Sequence, residues 1–403
     1  MPPRKKGKVD GGASPEVGGV DGISALPDDA LHHVLSFLPA EDAVRTCVLA
    51  RRWRDLWKSA TGLRIGCRAG KEDEPPSVDE LRHFVNHLLL LRRNGSSIHT
   101  CELRFSRCTC RDDHLCLNLW IRHAVDRGVR VLRLESQGQE LTFDMPLFCP
   151  HLTTLQLDGV FLSKSFCNFS NFPNLQHQEI SSTSLDYVEI SSKSLKLLSF
   201  RKSCCFELHT LICTPNLVSL TLDVHFCSIP VLGSIPSLKE AFVRNTSYAC
   251  QNEGCFSCDG RIPDGYSYHE NKCFLLQGLS EAENLTLMSD YNGFVFHRDL
   301  EWCPTFSNLR VLVLDDWWFV HDDFYGLNCI LKHSPALEKL TLYLFTSERA
   351  NNKVEIIGRY HPMEMSATTS KHLKAIEVKC RVVDKKVHKV LKFLGTFGIR
   401  SCL

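Results

Sequence analysis

A chain of 403 residues with 43% hydrophobic and 23% charged residues has ample material for a large core, which excludes a disordered, collagenous or membrane-embedded protein. Its 47 basic against 46 acidic residues leave a net charge of +1, which argues against a surface given over wholly to nucleic acid. The longest apolar run, Leu88 to Leu91, is closed at once by Arg92 and Arg93, so no membrane span is expected. The amino end MPPRKKGKVDGG has no apolar stretch behind its charges, so no export signal is expected either. Twenty cysteines in such a chain are then expected to be reduced, most of them acting as small core hydrophobes.

Residues 1–20 are Gly, Pro and charge and are expected to be disordered. Their Arg4-Lys5-Lys6-Gly7-Lys8 run reads either as a nuclear-import signal or as a solvated tail, so the expected location is nucleus, cytoplasm or both. Pro27 stands where a helix can begin, and Asp28 and Asp29 put negative charge at the positive end of its dipole. Leu31, Val34, Leu35 and Leu38 follow at i, i+3, i+4 and i+7, one face of a helix that ends at Pro39. Glu41 and Asp42 open a second helix carrying Ala43, Val44, Cys47 and Val48. A third segment sets Leu49, Trp53, Leu56 and Trp57 against Arg51, Arg52, Arg54 and Lys58. So many apolar and aromatic residues in so small a unit imply a face meant for a partner.

The run LPDDALHHVLSFLPAEDAVRTCVLARRWRDLW resembles the F-box of plant F-box proteins over about Ser24 to Thr61. It matches in the opening Leu26-Pro27, the second Leu38-Pro39, the Ala43-Val44 pair and the closing Arg52-Trp53-x-x-Leu56-Trp57. The resemblance implies a three-helix module, residues 21–62, that docks on a Skp-type adaptor and through it on a cullin. On that reading the adaptor-binding face is drawn from Leu26, Pro27, Leu31, Leu35, Leu38, Val44, Val48, Trp53, Leu56 and Trp57, some of which must also hold the module together.

Residues 63–97 read as a linker followed by a capping helix. Ser77-Val78-Asp79-Glu80 is a capping box, and Leu81, Phe84, Val85, Leu88 and Leu91 share one helical face, which could seal the end of the next domain. From 98 to 370 an apolar-x-x-apolar-x-apolar pattern recurs, as in Val129/Leu132/Leu134, Leu152/Leu155/Leu157, Leu217/Leu220/Leu222 and Leu309/Leu312/Leu314. Taken at the last apolar position, the steps 134, 157, 180, 200, 222 and 243 are 23, 23, 20, 22 and 21 residues, while 243 to 287 is 44, as if an insertion at 246–277 masked one repeat. Such a period is the signature of leucine-rich repeats, each giving one short parallel strand to a curved solenoid. The family pattern wants Asn or Cys three residues after the last Leu. Here Ser106, Gln137, Val160, Ser203, His225 and Trp317 stand there, so the array resembles the irregular plant F-box type. Residues 371–403 read as a strand and a basic helix, with Val387, Val390, Leu391 and Leu394 spaced among Lys385, Lys386, Lys389 and Lys392. This end is similar to the start of the FBD region of many such proteins.

No phosphate-binding GxxxxGK[ST], HExxH or GxSxG grouping is present, and no cofactor is expected. Cys255, Cys258, His269 and Cys273, with Cys250 as a spare, could supply four zinc ligands. The competing reading is a loop with incidental thiols, since one CxxC among 20 cysteines arises readily by chance. Asp315-Asp316-Trp317-Trp318 could anchor a ligand at the rim, although packing of a tryptophan between repeats is the simpler reading. The fold expected is α/β: an N-terminal three-helix F-box followed by an irregular leucine-rich-repeat solenoid with parallel strands. The function expected is a non-catalytic, substrate-recognition subunit of a Skp–cullin–F-box ubiquitin ligase with an unknown protein substrate. The alternative is an F-box scaffold acting outside ubiquitin transfer, and a role in nucleic-acid binding is disfavoured by the near-zero charge.

Overall fold

The computed structural model describes residues 23, 25–67, 74–92, 95–106, 111–137, 141–143, 148–162, 169–182, 184–186, 189–201, 205–208, 210–226, 230–245, 275–289, 296, 299–300, 302–319, 324–344, 372–380 and 385–395. Helix α1 (Asp28–Leu35) starts after Pro27, whose extended backbone and missing N–H suit the position before a first turn, with Asp28 and Asp29 in that turn. It ends at Ser36, whose hydroxyl donates back to the His32 carbonyl at 2.7 Å. Helix α2 (Ala40–Arg45) follows Pro39 and tightens into a 3₁₀ turn at Thr46–Val48.

The expected third helix is instead two 3₁₀ turns, Arg51–Arg54 and Leu56–Ser59. The Trp57 indole N–H donates to the Arg54 carbonyl at 3.1 Å, the acceptor that an α-helical Lys58 N–H would need. Lys58 N–H bonds the Asp55 carbonyl instead, one residue nearer, as a 3₁₀ turn requires.

A single parallel sheet then runs through the molecule in chain order: β1 (Gly62–Ile65), β2 (Thr100–Phe105), β3 (Val131–Ser136), β4 (Thr154–Asp158), β5 (His177–Ser181), β6 (Leu197–Arg201), β7 (Ser219–Phe226), β8 (Glu240–Asn245), β9 (Asn284–Ser289), β10 (Val311–Asp315), β11 (Lys339–Leu344) and β12 (Ala375–Cys380). The register aligns the repeat's last apolar positions across the sheet, from Ile65 through Leu103, Leu134, Leu157, Ile180, Phe200, Leu222, Val243, Leu287, Leu314 and Leu342 to Val378. The solenoid expected from the period is therefore the observed architecture, with three corrections.

The sheet begins at Gly62, the last residue of the stretch read as the helical module, and runs into the stretch read as a linker, because Leu63 and Ile65 are buried in alternation with half-buried Arg64. Helix α3 (Val78–Leu91) is not an end seal but the crossover between β1 and β2. It packs on helix α4 (Arg111–Asp126), where buried Asp113 accepts from Arg82 at 2.8 Å and Trp120 Nε1 donates to Asn86 Oδ1 at 3.0 Å. Third, Val243 pairs directly with Leu287, so no further strand enters the sheet between β8 and β9.

At the entrance of each strand one backbone carbonyl accepts two N–H groups from the next rung. Thr61 O accepts both His99 and Thr100 N–H, His99 O accepts Arg130 and Val131, and Arg130 O accepts Thr153 and Thr154. The same double acceptance continues rung by rung to Glu338 O, which takes Lys374 and Ala375. Its first member, Thr61, is the last residue of the helical module.

Crossovers differ along the array. Outside β1–β3 and β10–β12 several are short strands; Glu189–Ser191, Leu211–Cys213 and Val231–Leu232 form a second narrow parallel sheet whose Ile190, Ile212 and Leu232 are buried. Helix α5 (Tyr325–Lys332) connects β10 to β11. The final helix α6 (Lys385–Gly395) buries Val387, Val390, Phe393 and Leu394, with Phe393 stacked 4.7 Å from Phe324. Gly128 and Gly159 adopt φ of 75° and 67°, and a Cβ on Gly159 would lie 2.1 Å from the Ser136 carbonyl oxygen, so that corner requires glycine. No helix among the described residues is long and apolar enough to cross a membrane.

Candidate functional site

The amino-terminal module divides its apolar residues into two sets. Leu31, Leu35, Trp53, Leu56 and Trp57, all expected on a docking face, are 0 to 7% exposed and belong to one core with the first rungs of the sheet. With so little surface they hold the module on itself and on β1, the second role expected for part of this set. Leu38 and Val44 are half-buried against the same core. Pro27 is exposed, as are Leu26 at 39% and Val48 at 82%.

Four further side chains complete the exposed set: Ile23 at 58%, Val34 at 49%, Phe37 at 61% and Leu49 at 67%. Phe37 lies off the apolar stripe of α1, and that off-stripe aromatic was the sequence signal for an outward apolar face. Val34 and Leu49 lie on their stripes, and periodicity alone could not show that they turn away from the core. Arg52 positions the entry of the chain, with Nε donating to Asp28 Oδ1 at 2.9 Å and Nη2 to the Leu26 carbonyl.

The second candidate is the open face of the sheet, lined by the residues between the buried ones. One row crosses it in register, with Thr341 alone buried: Arg64, Glu102, Arg133, Gln156, Glu179, Ser199, Thr221, Phe242, Thr286, Val313, Thr341 and Glu377. Its first part is a chain of mutually satisfied polar groups. Arg64 donates to Glu102 at 2.8 Å, Arg133 to Gln156, and Gln156 to Glu179 at 3.0 Å, with Arg201 3.8 Å from Glu179. Its last residue, Glu377, is held below the usual carboxylate range by hydrogen bonding to Lys339, with Lys379 assisting.

Between these ends, from Ser199 to Thr341, the row carries no charge. Phe242 and Val313 lie half-buried there, flanked by the bidentate Arg244–Asp223 pair at 2.6 and 2.7 Å. Apolar area is released from water on contact, whereas charges already paired have little to gain. The centre of the row is thus the stretch best suited to seat a polypeptide. The alternation of single residues across strands that lie far apart in the chain made this row invisible without the register.

The Asp315–Trp318 cluster is structural. Trp318 is buried, its indole N–H donates to the Leu287 carbonyl at 3.2 Å, and Phe296, Trp317 and Trp318 pack together with ring centroids 5.0 to 5.8 Å apart. Asp315 accepts the Ser289 backbone N–H. Cys101 and Cys149 are buried in the core, and burial pushes the Cys101 thiol up to about 12, as expected for an inert packing residue. Cys250, Cys255, Cys258, His269 and Cys273 lie outside the described residues, as does the Arg4–Lys8 run.

The F-box domain model matches residues 23–62. An F-box/LRR-repeat protein of Arabidopsis thaliana is 27% identical over 350 residues, covering 81% of this chain and 73% of the relative. A second F-box/LRR-repeat protein of that plant is 28% identical over 370 residues, 80% of this chain and 69% of the relative. An F-box/FBD/LRR-repeat protein, also from Arabidopsis thaliana, is 29% identical over 383 residues, 84% of this chain and 80% of the relative. No solved structure matches the chain. A helical module in F-box register that runs directly into a parallel repeat sheet agrees with all of these, and the chain carries an F-box domain and is homologous over most of its length to plant F-box/LRR-repeat and FBD-associated F-box proteins.

Proposed function

We propose that this protein is the substrate-recognition subunit of a Skp–cullin–F-box ubiquitin ligase, with its F-box on a Skp-type adaptor and a protein substrate on the open face of the sheet. The observation that carries the reading is the set of exposed apolar residues on the F-box: Ile23, Leu26, Val34, Phe37, Val48 and Leu49 project from a module whose own core is already closed. Large exposed apolar side chains in so small a unit are a cost in water that a bound polypeptide removes. The relatives' names place them among F-box proteins, which supports the adaptor as occupant.

The contribution to catalysis is one of position. Holding a substrate's lysines near a ubiquitin-charged enzyme raises their effective concentration, with no acid, base or nucleophile required from this chain. The uncharged centre of the open face, around Thr221, Phe242, Thr286 and Val313, is where substrate would be held. The test is co-expression with a Skp-type adaptor of the intact chain and of Val48→Asp/Leu49→Asp. At these exposed positions the substitutions are expected to reduce adaptor binding at least tenfold and to leave the melting temperature unchanged, measured by titration and by thermal denaturation. Undiminished binding would remove the adaptor from this face.

A further inference from the structure

Cys303 lies in the segment entering β10, while Cys329 and His333 stand four residues apart on and just after α5, hence on one side of that helix. One ligand atom from each of the three lies within 4.8 Å of the other two. Cys303 and His333 are half-buried and Cys329 lies deeper between them, so the cluster is shielded yet reachable from solvent. Each sulfur has a backbone carbonyl as a weak acceptor, that of Leu300 3.5 Å from Cys329 and that of Pro304 3.8 Å from Cys303. His333 Nδ1 lies 2.8 Å from the Cys329 carbonyl oxygen. A carbonyl can only accept, so Nδ1 carries a proton and Nε2 is the nitrogen a metal could take, the arrangement in which metal-bound histidines are commonly fixed.

We propose that Cys303, Cys329 and His333 form a zinc site, with a water molecule as the fourth ligand. Two thiolates and an imidazole make a soft to borderline donor set that suits zinc and not magnesium or calcium. With metal–sulfur distances of about 2.3 Å and metal–nitrogen distances of about 2.0–2.1 Å, tetrahedral ligand atoms stand about 3.5–3.8 Å apart, so closure needs a shift of at most about an ångström. Binding forms two Zn–S bonds and releases the two thiol protons to solvent. The metal staples the segment before β10 to α5, beside the Phe306 N–H to His333 carbonyl bond of 2.8 Å that already joins them. This site is independent of the ligase reading and separate from the cysteines of the 246–277 insertion.

The experiment uses the full chain, purified with its thiols reduced, and reads bound zinc by elemental analysis and bound cobalt(II) by its thiolate charge-transfer absorption. The intact chain is expected to show that absorption, with zinc displacing it. Cys303→Ser/Cys329→Ser should lose one metal equivalent and the absorption it carries, whereas Cys255→Ser/Cys258→Ser should keep both. His333→Asn, which leaves both thiols, should weaken zinc binding at least tenfold in competition with a chromogenic chelator. Equal metal content in the intact chain and the Cys303/Cys329 variant would overturn the site. So would an intact chain that takes up no cobalt and shows no zinc-dependent rise in melting temperature, which decides the matter even if the variant fails to fold.

Discussion

Gln178 occupies a column in which the other eleven rungs of the sheet carry an apolar side chain, paired in register with Leu155 on one side and Leu198 on the other. It is buried, and neither Oε1 nor Nε2 has a hydrogen-bond partner among the described residues. An unsatisfied buried polar atom costs about 1–3 kcal/mol, and leucine would replace the amide with packing area. Gln178→Leu is therefore expected to stabilise the protein by about 1–3 kcal/mol, read from the midpoint of denaturant unfolding, and an unchanged or lowered midpoint would count against an orphaned amide. The anomaly is legible in the sequence, since Gln178 stands between Leu175 and Ile180 where the repeat pattern has an apolar residue. The two-sided burial that makes it costly was not, because that depends on Leu155 and Leu198, each a full repeat away along the chain. A Cβ at Gly66, where φ is 72°, would sit 1.8 Å from the Arg104 carbonyl oxygen, another close approach set wholly by the next rung.

At the scale of elements, helix starts and the strand period were readable because prolines, acidic first turns and apolar spacing act locally. The F-box's third segment was not, since apolar spacing does not distinguish its 3₁₀ bonds, Trp53 N–H to the Ala50 carbonyl and Lys58 N–H to the Asp55 carbonyl, from α-helical ones. Nor could spacing tell core from docking face, because both are apolar. That division has an energetic consequence. Trp53→Ala removes a buried ring and is expected to cost about 3–5 kcal/mol, whereas a change at Val48, which is 82% exposed, should stay within about 0.5 kcal/mol. Chemical denaturation of the two variants checks the contrast, and equal losses would contradict it. A defect in adaptor binding caused by Trp53→Ala thus reports on folding, while one caused by Val48→Asp reports on contact.

For the whole molecule, the lesson lies at Thr61. Sequence patterning suggested a boundary near residue 62 followed by a linker, since F-box and repeat follow different periods. The structure joins them through the Thr61 carbonyl and the buried Leu63 and Ile65. Further bonds run from Arg64 Nε to the Ser36 carbonyl at 3.3 Å and from Thr61 N–H to Ser36 Oγ at 3.2 Å. In a repeat array an end rung depends on its cap, so deleting residues 1–61 is expected to lower the solubility of the remaining chain and its melting temperature by several degrees. An unaltered melt of the truncated chain would show that the repeats need no such cover.

With strands about 4.8 Å apart, the distance along the sheet from the F-box edge to Phe242 on β8 is about 30–35 Å, counted in rungs. On the proposed reading the array is then a gauge. Gaining or losing a repeat anywhere between Gly62 and Glu240 would move a bound cargo by one notch relative to whatever grips the F-box, leaving both grips chemically unchanged.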